Sequence, residues 1–560
     1  MAMDTSRRQF LQGAGAFGLG AAVIGVVSAC TPGSATSNSS SSGSGSSSGG
    51  PATKATVATV SLQGLGQDYL TVLVEPDKTW WNEIFDYPVM QNLDGKYIPG
   101  LATSWEPSAD QLTWSFDIRG GVKFHNGYDL TADDLAFSYN RLMFSPQSKH
   151  PLASMAVFVD SIKAQGSKLL VKTKEPVASV PVWFASSDGS VSGVVVSHKY
   201  FDKVGAKKAS AFPIGSGPYQ FVSSQGEQSV QLTAFLNPDR NEWQKSRTPS
   251  VKDISVIAVP QESTRIALLK TGAADIVPIT VSDLQTVQSA GAHVKKTPSA
   301  TYAGMLYVGY TLNPASPFND IRVREALSIA IDRKSIAKAV YGGTAEPSAA
   351  FYGGPDSIGY PGDLQAPTFD AARAKQLLAA AKFSSGTPLQ IVTYDDDTDF
   401  PGLPTLAEAI AGYYQNIGLH AKVNVMDPDA LNTQMYSHKF PGQLGTSAVS
   451  PATLYLRGFD NIVNMVPDQI SGYTSDGRPG RALWKLPKQQ QMLLAAGAEF
   501  DAAKQAADLG TYDKWMASNW SQCPLLGASA LFGTSKRVQS WSPITSKAEV
   551  NNLYTLRLNG

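Results

Sequence analysis

The chain has 560 residues with 46 basic and 46 acidic side chains, so it lacks the basic excess on which nucleic-acid binders rely. Two cysteines, Cys30 and Cys523, exclude a disulfide framework and a cysteine-rich zinc site. The six histidines are scattered, with no pair at metal-ligand spacing on one helix, and neither a metal nor a cofactor is expected.

The N-terminus carries the first local signals. Ser6-Arg7-Arg8-Gln9-Phe10-Leu11 resembles a twin-arginine export signal, with Arg7 and Arg8 as the address. The uncharged stretch Gly13 to Ala29 is short for a membrane span and suits a signal h-region. It ends in Val27-Ser28-Ala29-Cys30, which resembles a bacterial lipobox and makes Cys30 the expected lipidation site. Gly13, Gly15 and Gly18 match a dinucleotide-binding fingerprint, but no strand precedes them and the segment is expected to be cleaved. From Cys30 to about Gly50 the chain is Ser/Gly-rich. Such a flexible coil of ~20 residues reaches about 25 Å, which suits a domain held near a membrane surface.

Globular composition begins near Thr56. Leu112 to Ile118 alternates apolar and polar residues, the pattern of a half-buried strand, with Trp114 as a core aromatic. Thr131 and Asp134 form a capping box that opens a helix with Leu135, Tyr139 and Leu142 inward. Further strands are expected at Lys168–Thr173, Gly193–Ser197, Tyr219–Val222, Ser229–Phe235 and Ile254–Val259. Helices are expected at Asp320–Ala330, from Asp332 through Val340, and at Asp370–Lys382. A strand at Leu389–Tyr394 follows. Thr405 and Glu408 read as a capping box for a helix with Ile410, Tyr413 and Ile417 inward, and Ala421–Val425 alternates again. This helix–strand–helix–strand order implies an α/β lobe with parallel strands. No repeat of fixed period is visible, which excludes solenoids and propellers.

Three stretches together resemble the solute-binding proteins of the oligopeptide, dipeptide and nickel ABC importers (solute-binding protein family 5). They are Ile98 to Trp105 with Leu112 to Tyr139, then Pro213 to Tyr219, then Phe318 to Arg333. The resemblance covers roughly 70–525. It implies an α/β, two-lobe periplasmic-binding-protein-like fold of the class II or cluster C type, with an extra subdomain and a hinge. The implied organisation is a signal at 1–30, a flexible linker at 31–55, and a first lobe from 56–97, 213–308 and 525–560. A subdomain of that lobe would span 98–212 and a second lobe 309–524, with crossings near Gly309–Asn313 and Cys523–Leu526.

The implied function is capture of a solute, oligopeptide-like in the first instance, and its delivery to an ABC permease and ATPase. Ligand would close the lobes about the hinge. The protein would be a monomer on the outer face of the cell membrane or in the periplasm, and no enzyme. Trp80, Trp81, Asp396, Asp397, Tyr455 and Arg457 are the candidate ligand contacts. Peptide-binding relatives place an Asp after a Gly-Trp pair to hold the ligand ammonium. The stretch expected to correspond, Leu444 to Pro451, has neither Asp nor Trp. Dipeptide relatives use an Arg in the loop after a second-lobe strand, where this chain has Asp395, Asp396, Asp397 and Asp399. Both departures argue against a free dipeptide and leave longer peptides, or an oligosaccharide stacked on aromatics, as ligand classes.

Ser335 to Lys338 fits SxxK and Lys270 to Gly272 fits KTG, as in penicillin-recognising hydrolases, but the order is reversed and no SDN element is present.

Overall fold

The computed structural model describes residues 53–559 apart from 63–77, 93–95, 149–150, 187–192, 299, 352, 356, 384–385, 395–399, 438, 442–451, 460–485 and 544–548. Arg7, Arg8, Cys30, Asp396 and Asp397 therefore lie outside the described residues.

The expected strand forms at Thr113–Ile118 and turns Trp114, Phe116 and Ile118 inward. It belongs to an antiparallel four-stranded sheet in the order Ala102–Pro107, Thr113–Ile118, Lys168–Thr173, Val159–Gln165. The helix Ala132–Phe144 packs on this sheet, capped by Thr131 and Asp134 as the sequence predicts, with Leu135, Tyr139 and Leu142 buried. Residues 193–197 are extended but form no strand. Their polar groups bond to the helix instead: Val196 N–H donates to Ser138 Oγ at 3.0 Å, and Tyr139 Oη donates to the Gly193 carbonyl at 3.3 Å. A Cβ at Gly193 would overlap Leu142, so the segment lies against the helix rather than beside another strand.

Two of the motif stretches meet in space. His125 is half-buried and donates from Nε2 to the Gly217 carbonyl at 3.1 Å, while Nδ1 accepts from Gly215 N–H at 3.4 Å. That pattern requires a neutral ring, and burial pushes the His125 pKa down to about 4. Gly215 and Gly217 are needed for close approach, not for a left-handed backbone: a Cβ at either would overlap the Ile84 carbonyl.

A seven-stranded sheet has the order His293–Lys296, Leu531–Thr534, Ile276–Ile279, Lys54–Thr59, Asp253–Ala258, Ser229–Ala234, Tyr219–Ser224. A six-stranded sheet has the order Ala345–Pro347, Cys523–Ala528, Thr301–Tyr307, Ala452–Phe459, Leu389–Tyr394, Ala421–Met426. The chain passes from the first to the second between Lys296 and Thr301, and returns between Ala528 and Leu531. The two passages are tied to each other: Thr297 N–H donates to the Ala530 carbonyl, and Ala530 N–H to Thr297 Oγ1, both at 3.0 Å. Tyr310 and Cys523 lie in the core built around the six-stranded sheet.

Helices start where their caps allow. Asp320 caps Ile321–Ile329, Asp332 caps Arg333–Ala339, and Asp370 caps Ala371–Ala380. The helix expected to open at Thr405 instead begins at Leu403, with Gly402 as N-cap at φ +70° and Pro404 in its first turn. Pro fits there because the first helical N–H groups have no intrahelical partner. Ile410 and Ile417 are buried as expected, but the inward face runs through Leu403, Leu406, Ile410 and Tyr414, and Tyr413 is only half-buried. Arg324 is a buried packing residue. It donates to the carbonyls of Phe318, Asn519 and Trp520 at 2.6, 2.8 and 3.0 Å.

Candidate functional site

Leu389–Tyr394 lies between two parallel partners, Ala421–Met426 and Ala452–Phe459. The chain steps outward through the helix Leu403–Asn416, then back past Leu389–Tyr394 after the helix Pro428–Tyr436. That reversal is a topological switch point, and open α/β sheets bind ligands beyond the carboxyl ends of the strands there. Tyr394 ends one of these strands and is followed by Asp395, Asp396 and Asp397; Gly458-Phe459 ends another and is followed by Asp460.

Strand alternation places Gln390, Val392 and Tyr394 on the face that also carries Thr453, Tyr455 and Arg457. The contacts agree, because Gln390 Nε2 donates to Thr453 Oγ1 at 2.9 Å. The Tyr455 ring centre lies 6.4 Å from that of Tyr394 and 5.8 Å from that of Phe440. Tyr394 Oη accepts from Gly458 N–H at 3.3 Å, which fixes the end of the central strand. The half-buried Arg457 guanidinium lies 5.9 Å from the Tyr455 ring centre, and its Nε donates to the Gly458 carbonyl at 3.2 Å. Opposite Arg457 stands Gly304, where a Cβ would overlap the Phe351 ring. The result is an aromatic cluster within the core of the six-stranded sheet, with the half-buried Arg457 beside it; in sequence its strands continue into Asp395, Asp396, Asp397 and Asp460.

Of the candidate contacts, Tyr455 and Arg457 thus come together. Trp80 and Trp81 lie elsewhere, on the helix Lys78–Ile84 in the core beneath the seven-stranded and four-stranded sheets, 1% and 5% exposed. Tyr394, Phe440 and Phe351 were missed. Tyr394 was legible as the last residue of a strand whose bounds were read correctly; Phe440 and Phe351 sit in irregular segments that give no periodic signal.

A pocket of about 50 Å³ lies between the helix Lys78–Ile84 and the tail at 551–554. Glu83, Asp86, Arg247, Asn552 and Tyr554 line it. It is too small for a peptide, since small-molecule sites occupy roughly 300–1,000 Å³. Asp86 pairs with Arg247 at 2.8 Å, and the buried Glu83 carboxyl is pushed up to about 7 by loss of hydration.

Ser335 has no catalytic setting. Its hydroxyl donates to Asp332 Oδ2 at 2.7 Å, within the helix cap, and Gly272 is a left-handed helix C-cap. Among the described residues, no helix is long and apolar enough to cross a membrane.

The model for bacterial extracellular solute-binding proteins, family 5 Middle, matches residues 96–455. Heme-binding protein A of Haemophilus influenzae is 32% identical over 313 residues, 51% of this chain and 54% of that protein. The dipeptide-binding protein of Escherichia coli is 27% identical over 354 residues, 58% of this chain and 63% of that protein. The chain thus spans less than two thirds of the length of these curated relatives. The fold matches that of the ABC transporter-associated periplasmic binding protein DppA from Helicobacter pylori in complex with peptide STSA. The TM-score is 0.74 at 18% identity, covering 91% of this chain and 98% of that one. For the oligopeptide-binding protein AppA of Bacillus subtilis, in complex with a nonapeptide, the TM-score is 0.71 at 19% identity, covering 91% and 100%. With the family model spanning most of the chain and the two-lobe α/β fold in place, the chain belongs to the bacterial extracellular solute-binding proteins of family 5.

Proposed function

We propose that this chain is the extracytoplasmic substrate-binding subunit of an ABC importer, capturing a peptide-like solute between two lobes for a permease and its ATPase. The observation that carries the reading is the switch point at the carboxyl ends of Leu389–Tyr394 and Ala452–Phe459, where Tyr394, Tyr455 and Arg457 come together. Relatives whose names specify dipeptides, and a like-folded protein holding a nonapeptide, support the class of solute.

The lobes are best divided by sheet membership. The hinge then runs through 297–300 and 529–530, where Thr297 and Ala530 bond across the two passages, rather than through 309–313 and 523–526. Residues 98–212 contribute the four-stranded subdomain. The whole works as a monomer.

Peptide recognition needs a carboxylate for a buried ammonium, because an unpaired buried charge is costly. Gly458-Phe459-Asp460, at the end of the strand Ala452–Phe459, is similar to an Asp after a Gly-Trp pair, with Phe in place of Trp. Asp460 is thus the first candidate for the ammonium, and Asp396 with Asp397 the second. Titration calorimetry with a tetrapeptide pool and its N-acetylated twin tests the reading. Asp460→Asn should weaken the free peptides more than tenfold, about 1.4 kcal/mol, and leave the acetylated ones unchanged. Equal binding of both pools to the native protein would refute an amine site, and binding of neither would favour an oligosaccharide or another non-peptide solute; haemin is the control probe, given the relative named for heme.

Anchoring rests on Cys30. Cys30→Ser should move the protein from the membrane to the soluble fraction without altering its thermal unfolding, and Arg7→Lys with Arg8→Lys should block export. Full membrane retention of the serine variant would exclude the lipid anchor.

A further inference from the structure

The helical hairpin Pro487–Ala498 and Ala502–Ser518 is anchored in the core of the six-stranded sheet through Leu493, Ala496, Leu509, Tyr512 and Met516. Its tip lies elsewhere. Leu494 and Phe500 pack against the other core, that of the seven-stranded and four-stranded sheets. Phe500 stacks on Trp114, a residue of the four-stranded sheet, with ring centres 5.7 Å apart and planes 17° from parallel. Beside this stack Ala178 N–H donates to the Gly497 carbonyl at 2.7 Å. The Trp114 ring is itself held, since its Nε1 donates to the Val177 carbonyl at 2.8 Å. One side of the contact is therefore a fixed indole and a fixed backbone donor. The other is a turn between two helices that belong to the opposite core.

We propose that this contact is a latch between the lobes: Phe500 on Trp114, with the Ala178–Gly497 hydrogen bond, sets the balance between the arrangement seen here and a more open one. The proposal rests on the hinge-closure reading above. Phe500 would then tune solute affinity without touching solute, because apparent affinity scales with the fraction of molecules in the binding-competent arrangement. A stacked aromatic pair shifts such a balance by roughly two- to tenfold. The half-buried position of Phe500 on a turn makes it replaceable without opening a core.

The test compares four ligand-free full-length proteins by small-angle scattering and amide hydrogen exchange: native, Phe500→Ala, Phe500→Leu, and an Ala178→Cys/Gly497→Cys pair oxidised to a disulfide. Phe500→Ala should raise exchange at residue 178 by about two- to tenfold and enlarge the radius of gyration. Phe500→Leu should restore part of both, and the oxidised pair should show the smallest radius, reversed by reduction. If exchange and radius in Phe500→Ala equal the native values while the oxidised pair is smaller, the lobes move but Phe500 is no latch. If exchange rises but all four radii coincide, the contact opens with no lobe motion, and the hinge-closure reading fails with the latch.

Discussion

Replacing Arg333 by Met is expected to destabilise the protein by about 3–5 kcal/mol, the range for orphaning several buried polar groups at once. Arg333 is 3% exposed, and its guanidinium makes five hydrogen bonds. It donates to the carbonyls of Pro524, Ser328 and Ile331, to Ser328 Oγ and to Cys523 Sγ. These partners belong to the end of one helix and to the strand Cys523–Ala528, which the chain follows back toward the first sheet. A Met side chain fills most of the volume but donates nothing, so three carbonyls lose a charged donor. Arg333→Lys should recover little, because one ammonium cannot span the planar fork of partners. Urea denaturation measures the loss, and a cost below about 1 kcal/mol, the scale of one ordinary hydrogen bond, would show that water replaces the guanidinium.

Arg333 also shows what the sequence could and could not convey. The motif ending at Arg333 was recognisable as a family signature, and the caps Asp320, Asp332 and Asp370 were readable because capping chemistry is local. The strand Leu389–Tyr394 and its parallel neighbour were readable for a similar reason: their alternation and the helix between them are local patterns. The partners of Arg333 lie up to 191 residues away, at Pro524, and no periodicity reveals them. The same limit governs the site. Tyr455 and Arg457 could be named as candidates, but their meeting with Tyr394 and Phe440 depends on strand order, set by long-range pairing. Trp80 and Trp81, 1% and 5% exposed, are as buried as Tyr455 and Tyr394 at 3% and 5%, so burial alone does not separate one pair from the other. Asp460 is not legible from a Gly-Trp pair, because Phe459 stands where the Trp would be and only the end of the strand Ala452–Phe459 marks the place.

Glu83→Gln should flatten the dependence of stability on pH between about 5 and 8, by up to about 3 kcal/mol for a shift of this size. Glu83 is 1% exposed; its Oε1 accepts from Leu553 N–H at 2.6 Å, and its Oε2 has no hydrogen-bond partner among the described residues. Burial outweighs the backbone donors and the nearby Arg247, and raises the carboxyl from 4.5 to about 7. The folded state thus holds this proton more tightly than the unfolded chain. Its stabilising contribution is complete below about 4.5 and is lost as pH rises through about 7. The other charged or titratable groups in this neighbourhood are Asp86, Arg247, Tyr554 and Tyr219. Asp86 and Arg247 already pair with each other. Asp513, raised to about 7 by burial alone, adds a slope of the same sign. His125, held neutral with its pKa near 4, adds an opposite slope below its ordinary value of 6.5. Subtracting the glutamine curve from the native curve cancels both and isolates Glu83. The amide keeps the acceptor for Leu553 and carries no charge at any pH, so the variant should match the native protein near pH 5 and exceed it at pH 8. Parallel native and variant curves across that range, followed by urea denaturation, would mean that the carboxyl is hydrated in the folded protein and titrates as it does in the unfolded chain.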